Sequence, residues 1–495
     1  MQTYQDFEKA AGSQATTVAF IAKAISQHMA SEEWRTARDA DLYDKQKNVT
    51  INRLAQAYRA ATVNSGGNAG EGPDMAIASN WFNRFNVQRC SYLLGNGVSF
   101  TRREKRKNDK GYLIDVDVIK EALGVRFDTD LFWWGYTALI HGVSFGLWSK
   151  NKYDKERLRV LPLTSFVPLW DEDTGALRAG IKFWRLAPDR PMQVELYTEQ
   201  GITEYRSKDN TTGMDLVAVN DKPMPYAVTE YSTANDGVIA EEPLESTTLP
   251  IIPMWSSYKK QSTLVGFRDN IDAYDLIKSG FANDQRDCAK VYWLIENCGG
   301  MKKKELDEFL DDIRYRHIAQ VDSTSFSGDA RASLSPYTVD VPYQGNEAVL
   351  DRLAKDMYRD FGAVDTSSIN AGATNDEIDA AYQPLDEEAD LFEVQVIDAV
   401  QQLLALMGIE DTPQFKRNRV SNVKETVDAV MNCASYLDHE AVLDHLPFIT
   451  VDEKGAILQR MDMQNAARLI DPGKKRTGEA NDATGGEGDE GGTAA

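Results

Sequence analysis

Between Val349 and Gly408 the apolar residues fall at helical spacing twice, with a run of small and polar residues between. Val349, Leu350, Leu353, Met357 and Phe361 recur at steps of three and four, and Gly362 follows as a C-terminal cap. Residues 363–373, AVDTSSINAGA, carry no such period and read as a flexible hinge. Thr374 and Glu377 then have capping-box spacing and open a second helix. Its stripe is Ile378, Tyr382, Leu385, Ala389, Phe392, Val396, Val400, Leu403 and Met407. That stripe predicts a rod of roughly 50 Å with a kink near Pro384. A rod of this length suits an assembly scaffold better than a compact enzyme.

Residues 1 to about 60 read as mixed-charge helices, and the Gly-rich stretch 64–73 breaks the pattern. A helix carrying Trp81, Phe82, Phe85, Val87 and Tyr92 stops at Gly95. Residues 94–100 (LGNGVSF) and 139–145 (LIHGVSF) share one arrangement, an apolar helix ending at glycine before a strand. From Leu158 to Ile252 the texture is that of an antiparallel sheet, with strands at 159–163, 180–185 and 193–198. Helical spacing returns through Leu264, Phe267, Ile271, Tyr274, Ile277 and Phe281, for about 25 residues in all. A compact insertion follows: a strand at 291–295, a helix through Leu306, Phe309, Leu310 and Ile313, a strand at 318–321 and an extended piece at 333–342. Shorter helices occupy 421–469, and the acidic, Gly-rich tail 477–495 has the composition of a disordered segment.

A chain of 495 residues has room for about three domains. The net charge of −22 argues against a simple high-affinity nucleic-acid binder, yet not against a protein that surrounds DNA without gripping it. Cys90, Cys288, Cys298 and Cys433 are scattered without a CxxC pair and read as free thiols. The first residues lack the basic and apolar regions of a secretory signal. The most apolar helical stretch, Val394 to Met407, is too short for a bilayer and contains Asp398, Gln401 and Gln402. The expectation is a soluble protein made inside the cell, with no membrane contact.

Catalytic motifs mostly fail on context. Residues 142–146, GVSFG, match the nucleophile-elbow pattern, but an aromatic helix precedes Ser144 and strand residues follow, the reverse of the required order. His439-Glu440 is followed by Leu443 where a zinc helix needs histidine, and His445 stands six residues from His439. Gly473-Lys474 continues into Lys475, so there is no P-loop, and Gly95-Asn96-Gly97 lacks the third glycine of a dinucleotide site. No enzyme activity, metal or cofactor is expected. Two basic clusters interrupt the acidic background: Arg102, Arg103, Lys105, Arg106 and Lys107 before a hairpin turn, and Lys302, Lys303 and Lys304 at a helix start. The helix dipole disfavours cations at that end, so the lysines read either as a plain exposed run or as contacts for a partner or DNA phosphate.

Several distributed patterns resemble the portal proteins of tailed double-stranded-DNA bacteriophages of the long-noncontractile-tail (siphovirus) type, over about residues 45 to 470. They are Asn80-Trp81-Phe82 leading to Tyr92-Leu93-Leu94-Gly95, residues 249–255 (LPIIPMW), residues 270–275 (NIDAYD) with Ser279, and the helix–hinge–helix. Residues 422–426 (NVKET) and 446–452 (LPFITVD) echo the family near the C-terminus. The resemblance implies an α+β, portal-type subunit: an α/β wing at 1–262, stem helices at 263–289 and 346–362, and a small α/β clip at 290–345. It further implies a tunnel loop at 363–374, a kinked wing helix and return at 375–420, and a helical crown at 421–476 before the acidic tail. Such subunits form a ring, usually of twelve, at one capsid vertex of the virion, made in the host bacterial cytoplasm. Double-stranded DNA passes through in a sequence-independent way during packaging, retention and ejection. Implied partners are the major capsid and scaffolding proteins, the large terminase subunit and the head–tail connector. The tunnel loop would present Asp365, Thr366, Ser367, Ser368 and Asn370 to DNA, and Lys302, Lys303 and Lys304 would lie in the clip. The alternatives are a non-portal scaffold or adaptor, and a serine hydrolase acting through Ser144.

Overall fold

The periodic stripe of the second helix is the buried face of one 32-residue helix, Asn375–Leu406, about 48 Å long. Ile378, Tyr382, Leu385, Ala389, Phe392, Val396, Val400 and Leu403 are all buried, and helical structure continues through Pro384. The computed structural model describes residues 2–463 apart from 65–73, 108–112, 150–156, 209–214, 221, 227, 233–238, 244–247, 289–291, 297–303, 305–332, 338–342, 370–372, 420–422, 447–448, 450–453, 455–456, 459 and 462. The architecture is α+β, helices with small antiparallel sheets. The chain divides into two compact units. The first comprises Met1–Thr101, Ile119–Ala371 and Asp379–Arg419; the second comprises Arg102–Val118, Gly372–Ile378 and the residues from Val420.

In the first unit, five strands form an antiparallel meander in chain order: Phe166–Trp170, Leu177–Trp184, Gln193–Thr198, Gly201–Ser207 and Leu216–Ala218. Alternate residues build one apolar face, among them Val167, Leu169, Ala179, Ile181, Val194, Leu196 and Tyr205. The helices Tyr4–Ala10 and Gln14–Ala30 cover it with Phe7, Phe20, Ile21, Ala24 and Ile25. His28, at the end of the second of these helices, is buried and places Nε2 2.9 Å from the Leu163 carbonyl. A three-stranded sheet has Val143–Ser149 at its centre, between Ile251–Trp255 and Arg157–Pro162. Every residue of the central strand is buried, because the aromatic helix Phe127–His141 packs against the sheet.

The helix predicted from Leu264 begins at Arg268. Gly266 turns the chain with φ +83°, so Leu264 and Phe267 enter the core from the preceding turns. Beside this helix runs the irregular segment 74–80, which pairs with side chains instead of a strand. Asp275 Oδ1 accepts from the Ser79 amide (2.9 Å), Ser279 Oγ from Ile77 (2.9 Å) and Asn283 Oδ1 from Met75 (3.1 Å). Four residues of helix rise about 6 Å and two residues of extended chain about 6.6 Å, so the two repeats stay in step. Asp275 is wholly buried and also accepts from Asn48 Nδ2 at 2.9 Å.

In the second unit, Arg103–Lys107 and Leu113–Asp117 form the expected hairpin, and all five residues of the basic strand are exposed. Thr374 and Glu377 make both capping-box bonds, Thr374 N–H to Glu377 Oε2 (3.0 Å) and Glu377 N–H to Thr374 Oγ1 (3.3 Å). The Asn375 amide donates to Glu425 Oε2 (2.9 Å) at the start of the helix Val423–Cys433. In the predicted insertion, Tyr292–Glu296 pairs antiparallel with Ser333–Tyr337. The helix through Leu306 to Ile313, the strand at 318–321 and the acidic tail lie outside the described residues.

Asp275→Ala leaves the Ser79 amide and the Asn48 side chain without a buried acceptor, and we predict a loss of about 2–3 kcal/mol, measured by urea unfolding. His28 supplies a pH test. Burial lowers its pKa, and Nδ1, the nitrogen that would take up a proton, has no acceptor for it among the described residues. The unfolded chain therefore binds that proton first, and the stability from neutral His28 is present above about pH 6.5 and is lost as pH falls. Between pH 6.5 and 5 the wild type is predicted to lose Tm faster than His28→Gln.

Candidate functional site

The hinge between the two long helices begins with a complete helix stop. The helix Tyr343–Phe361 ends at Gly362, whose φ is +66°. The Gly362 amide bonds the Arg359 carbonyl (3.2 Å) and the Ala363 amide bonds Tyr358 (2.9 Å), the two bonds of a Schellman cap. A side chain at 362 would also strike Glu388 Cγ at 2.8 Å and the Pro384 carbonyl at 3.0 Å. Glycine is required here for conformation and for space.

Aromatic rings fix the end of that helix. Phe361 lies 5.1 Å from both Phe85 and Phe267, and Tyr358 lies 5.5 Å from Trp81, which also meets Tyr274 at 5.7 Å. Arg89 completes the joint. Its guanidinium sits 4.4 Å over the Phe361 ring, donates to the Phe361 carbonyl at 2.8 Å, and pairs with Glu388 Oε2 at 3.0 Å. Burial lowers its pKa and the Glu388 carboxylate opposes that shift. Its neighbour Gln88 holds Val364 from both sides, donating to the carbonyl (2.8 Å) and accepting from the amide (3.0 Å). Sequence reading passed over both residues. The available signal was Arg89 itself, a charge on the buried stripe of Phe82, Phe85 and Leu93 in the helix Trp81–Leu94.

Beyond Val364 the chain forms a 3₁₀ turn, Thr366–Ser368, capped by Asp365. Asp365 Oδ1 accepts from the Ser367 amide (3.0 Å) and hydroxyl (2.7 Å), and Thr366 and Ser367 are exposed. Asp365, Thr366, Ser367 and Ser368 thus share one turn, while Asn370 lies outside the described residues. Lys304 is an exposed helical residue, and Lys302 and Lys303 are outside the described set.

The polar side of the long helix is tied down as well. Arg417 pairs with Asp390 (2.5 Å) and Glu393, and Arg419 pairs with Asp379 and Asp386. Tyr92 OH donates to Asp386 at 2.5 Å and accepts from Arg419 Nε at 2.8 Å; burial and the Asp386 hydrogen bond push the phenol up to about 12.

The elbow-like glycines at 142–146 are packing features. A Cβ at Gly142 (φ +88°) would meet the backbone at Gln261–Ser262 at 2.7 Å, and one at Gly146 would meet the Trp134 ring at 2.7 Å. Ser144 lies wholly buried within a strand, and its hydroxyl donates to the Trp134 carbonyl at 2.8 Å. That geometry removes the support for a nucleophile. Among the described residues, no group of His, Cys, Asp or Glu side chains could hold a metal. No described helix is long and apolar enough to cross a membrane.

Residues 22–468 match the family model described as phage portal protein, SPP1 Gp6-like. The chain belongs to that family of phage portal proteins, which is structural rather than enzymatic. It is 22% identical to the portal protein of Bacillus phage SPP1 over 411 residues, 79% of this chain and 76% of that one. It is 26% identical to the portal protein of Clostridium phage phiCD119 over 213 residues, 41% of this chain and 46% of that relative, so this match spans about half the relative's length. Two solved structures are remotely similar, both at 10% identity. The neck of a native GTA particle computed with C12 symmetry gives a TM-score of 0.37, covering 81% of this chain and 99% of that chain. The neck of an empty GTA particle computed with C6 symmetry gives 0.34, covering 63% and 75%.

With its hydroxyl already donated and no exposure to solvent, Ser144 is predicted to resist a serine-reactive fluorophosphonate probe. Labelling that Ser144→Ala abolishes would restore the hydrolase reading.

Proposed function

We propose that this portal protein acts as a homo-oligomeric ring of twelve copies at one capsid vertex, through which double-stranded DNA is packaged, retained and ejected. The observation that carries this reading is the family match across residues 22–468, which includes both long helices and the hinge. In this assignment 1–262 is the wing, 263–289 and 346–362 the stem, 290–345 the clip, 363–374 the tunnel loop, 375–420 the return to the wing and 421–476 the crown. The described helices Arg268–Cys288 and Tyr343–Phe361 fall close to those stem boundaries.

Charge supports a conduit that lets DNA slide. Twelve copies at −22 each carry a formal −264, and such a ring has no overall tendency to adsorb DNA. Every phosphate neutralised by a cation adds affinity and, with it, friction. The exposed Thr366 hydroxyl offers neutral, sequence-independent contact to a passing backbone, while Ser367 is exposed beside it with its hydroxyl donated to Asp365. Asp365 would face DNA as part of the cap, and Ser368 and Asn370 extend the same polar loop. Lys302, Lys303 and Lys304 belong to the clip, where a cationic run suits an acidic partner surface or DNA phosphate. The docking partners of such a ring are the capsid and scaffolding proteins, the large terminase subunit and the head–tail connector, all within the virion or its assembly in the host cytoplasm.

Negative-stain microscopy and native mass measurement of the full chain are predicted to show closed rings with a central channel. A stable monomer at micromolar concentration contradicts the proposal. Deleting Thr366 to Asn370 is predicted to leave rings intact while impairing packaging or retention; loss of the rings themselves contradicts the loop assignment.

A further inference from the structure

Gln88 and Arg89 are consecutive on one helix, yet they grip the chain on opposite sides of Gly362. Arg89 fixes the last carbonyl of the helix Tyr343–Phe361, and Gln88 uses both main-chain groups of Val364. A side-chain amide that gives and takes one bond with the same residue reproduces half of an antiparallel strand pair. Val364 is accordingly buried, while Thr366 and Ser367, two and three residues further on, are exposed. The change from held to solvated chain takes place within two residues.

Arg89 also links this root to the long helix. The same guanidinium that holds the Phe361 carbonyl pairs with Glu388, and Gly362 lies against Glu388 and Pro384. One nitrogen, Nη2, serves both the carbonyl and the carboxylate, while the planar face of the group stacks on the Phe361 ring.

We propose that Gln88 and Arg89 are positioning residues that anchor the root of the DNA-facing loop, so that its movement starts after Val364 and is referenced to the long helix at Glu388. This inference deepens the portal reading and rests on it. The anchor lets the loop yield to passing DNA without unravelling the stem helix behind it. It also gives the loop a defined starting point, which a hinge of small residues alone would not supply.

The test compares wild type, Gln88→Leu, Gln88→Glu and the Thr366–Asn370 deletion as full-length assembled rings. Gln88 is only partly buried, so leucine at 88 is compatible with folding. Hydrogen–deuterium exchange is expected to rise at least tenfold in peptides covering 362–369 of Gln88→Leu, with the 375–406 helix unchanged. Gln88→Glu keeps the acceptor for the Val364 amide and loses the donor to its carbonyl, and an intermediate rise is expected. DNA retention in filled particles should fall in the same order, with Gln88→Leu approaching the deletion. Unchanged exchange at 362–369 overturns the anchor. Faster exchange with wild-type retention, while the deletion remains defective, overturns its role in DNA handling. A harmless deletion refutes the loop reading itself, and the inference falls with it.

Discussion

A guanidinium taken out of water costs several kcal/mol unless charge and hydrogen bonds replace what solvent gave it. Arg89 recovers part of that cost through Nη2, which meets both the Phe361 carbonyl and Glu388, while its buried Nε has no partner among the described residues. It needs the Phe361 carbonyl, the Glu388 carboxylate and the Phe361 ring face within reach at once. Those groups come from the ends and middles of different helices, far apart in sequence. Pairing one buried charge therefore ties the end of the helix Tyr343–Phe361, which Gly362 stops, to the passing helix Asn375–Leu406. The cluster of Trp81, Phe85, Phe267, Tyr358 and Phe361 supplies the apolar surroundings that make the pairing strong.

The same economy of polar groups recurs along the helix Arg268–Cys288. Segment 74–80 has no strand partner, and its alternate amides are taken up by Asp275, Ser279 and Asn283. Side chains at every fourth helical position do the work of a neighbouring strand and give the amides of Met75, Ile77 and Ser79 their acceptors. On another face of the long helix Asn375–Leu406, Arg417 and Arg419 each bridge two carboxylates and offset part of the repulsion among the four. A strongly acidic chain thus supports its long helix by placing these two arginines where carboxylates converge.

These joints explain why the family resemblance is spread thinly along the chain. Asn80-Trp81-Phe82 supplies an aromatic of the hinge junction, and Asp275 and Ser279 are rungs of the side-chain ladder. Met254, within the LPIIPMW pattern, is fully buried in the three-stranded sheet. Each of these three patterns lies where elements pack together, whereas most of residues 446–452 are outside the described residues. Identity of 22–26% to the phage portal proteins is compatible with keeping such joints while the surfaces change. It also accounts for the GVSFG segment, whose glycines serve close packing against Trp134 and residues 261–262.

Sequence alone was sufficient for whatever depends on local spacing. The apolar stripe of the long helix, the glycine stop at 362, the Thr374–Glu377 box, the basic hairpin and three strands of the antiparallel region are set by periodicity, capping chemistry and turn residues a few positions apart. Where the signal is local but competes, sequence erred slightly: the helix expected from Leu264 starts at Arg268 because Gly266 interrupts it, although both apolar residues before it are still buried. Tertiary structure decided the rest. That Gln88 holds Val364, that Arg89 reaches Glu388, and that a serine in a hydrolase-like motif is spent on a carbonyl are contacts between residues ten to almost three hundred positions apart. No periodicity encodes them, because they follow from which buried polar groups the folded chain brings within three ångströms of one another.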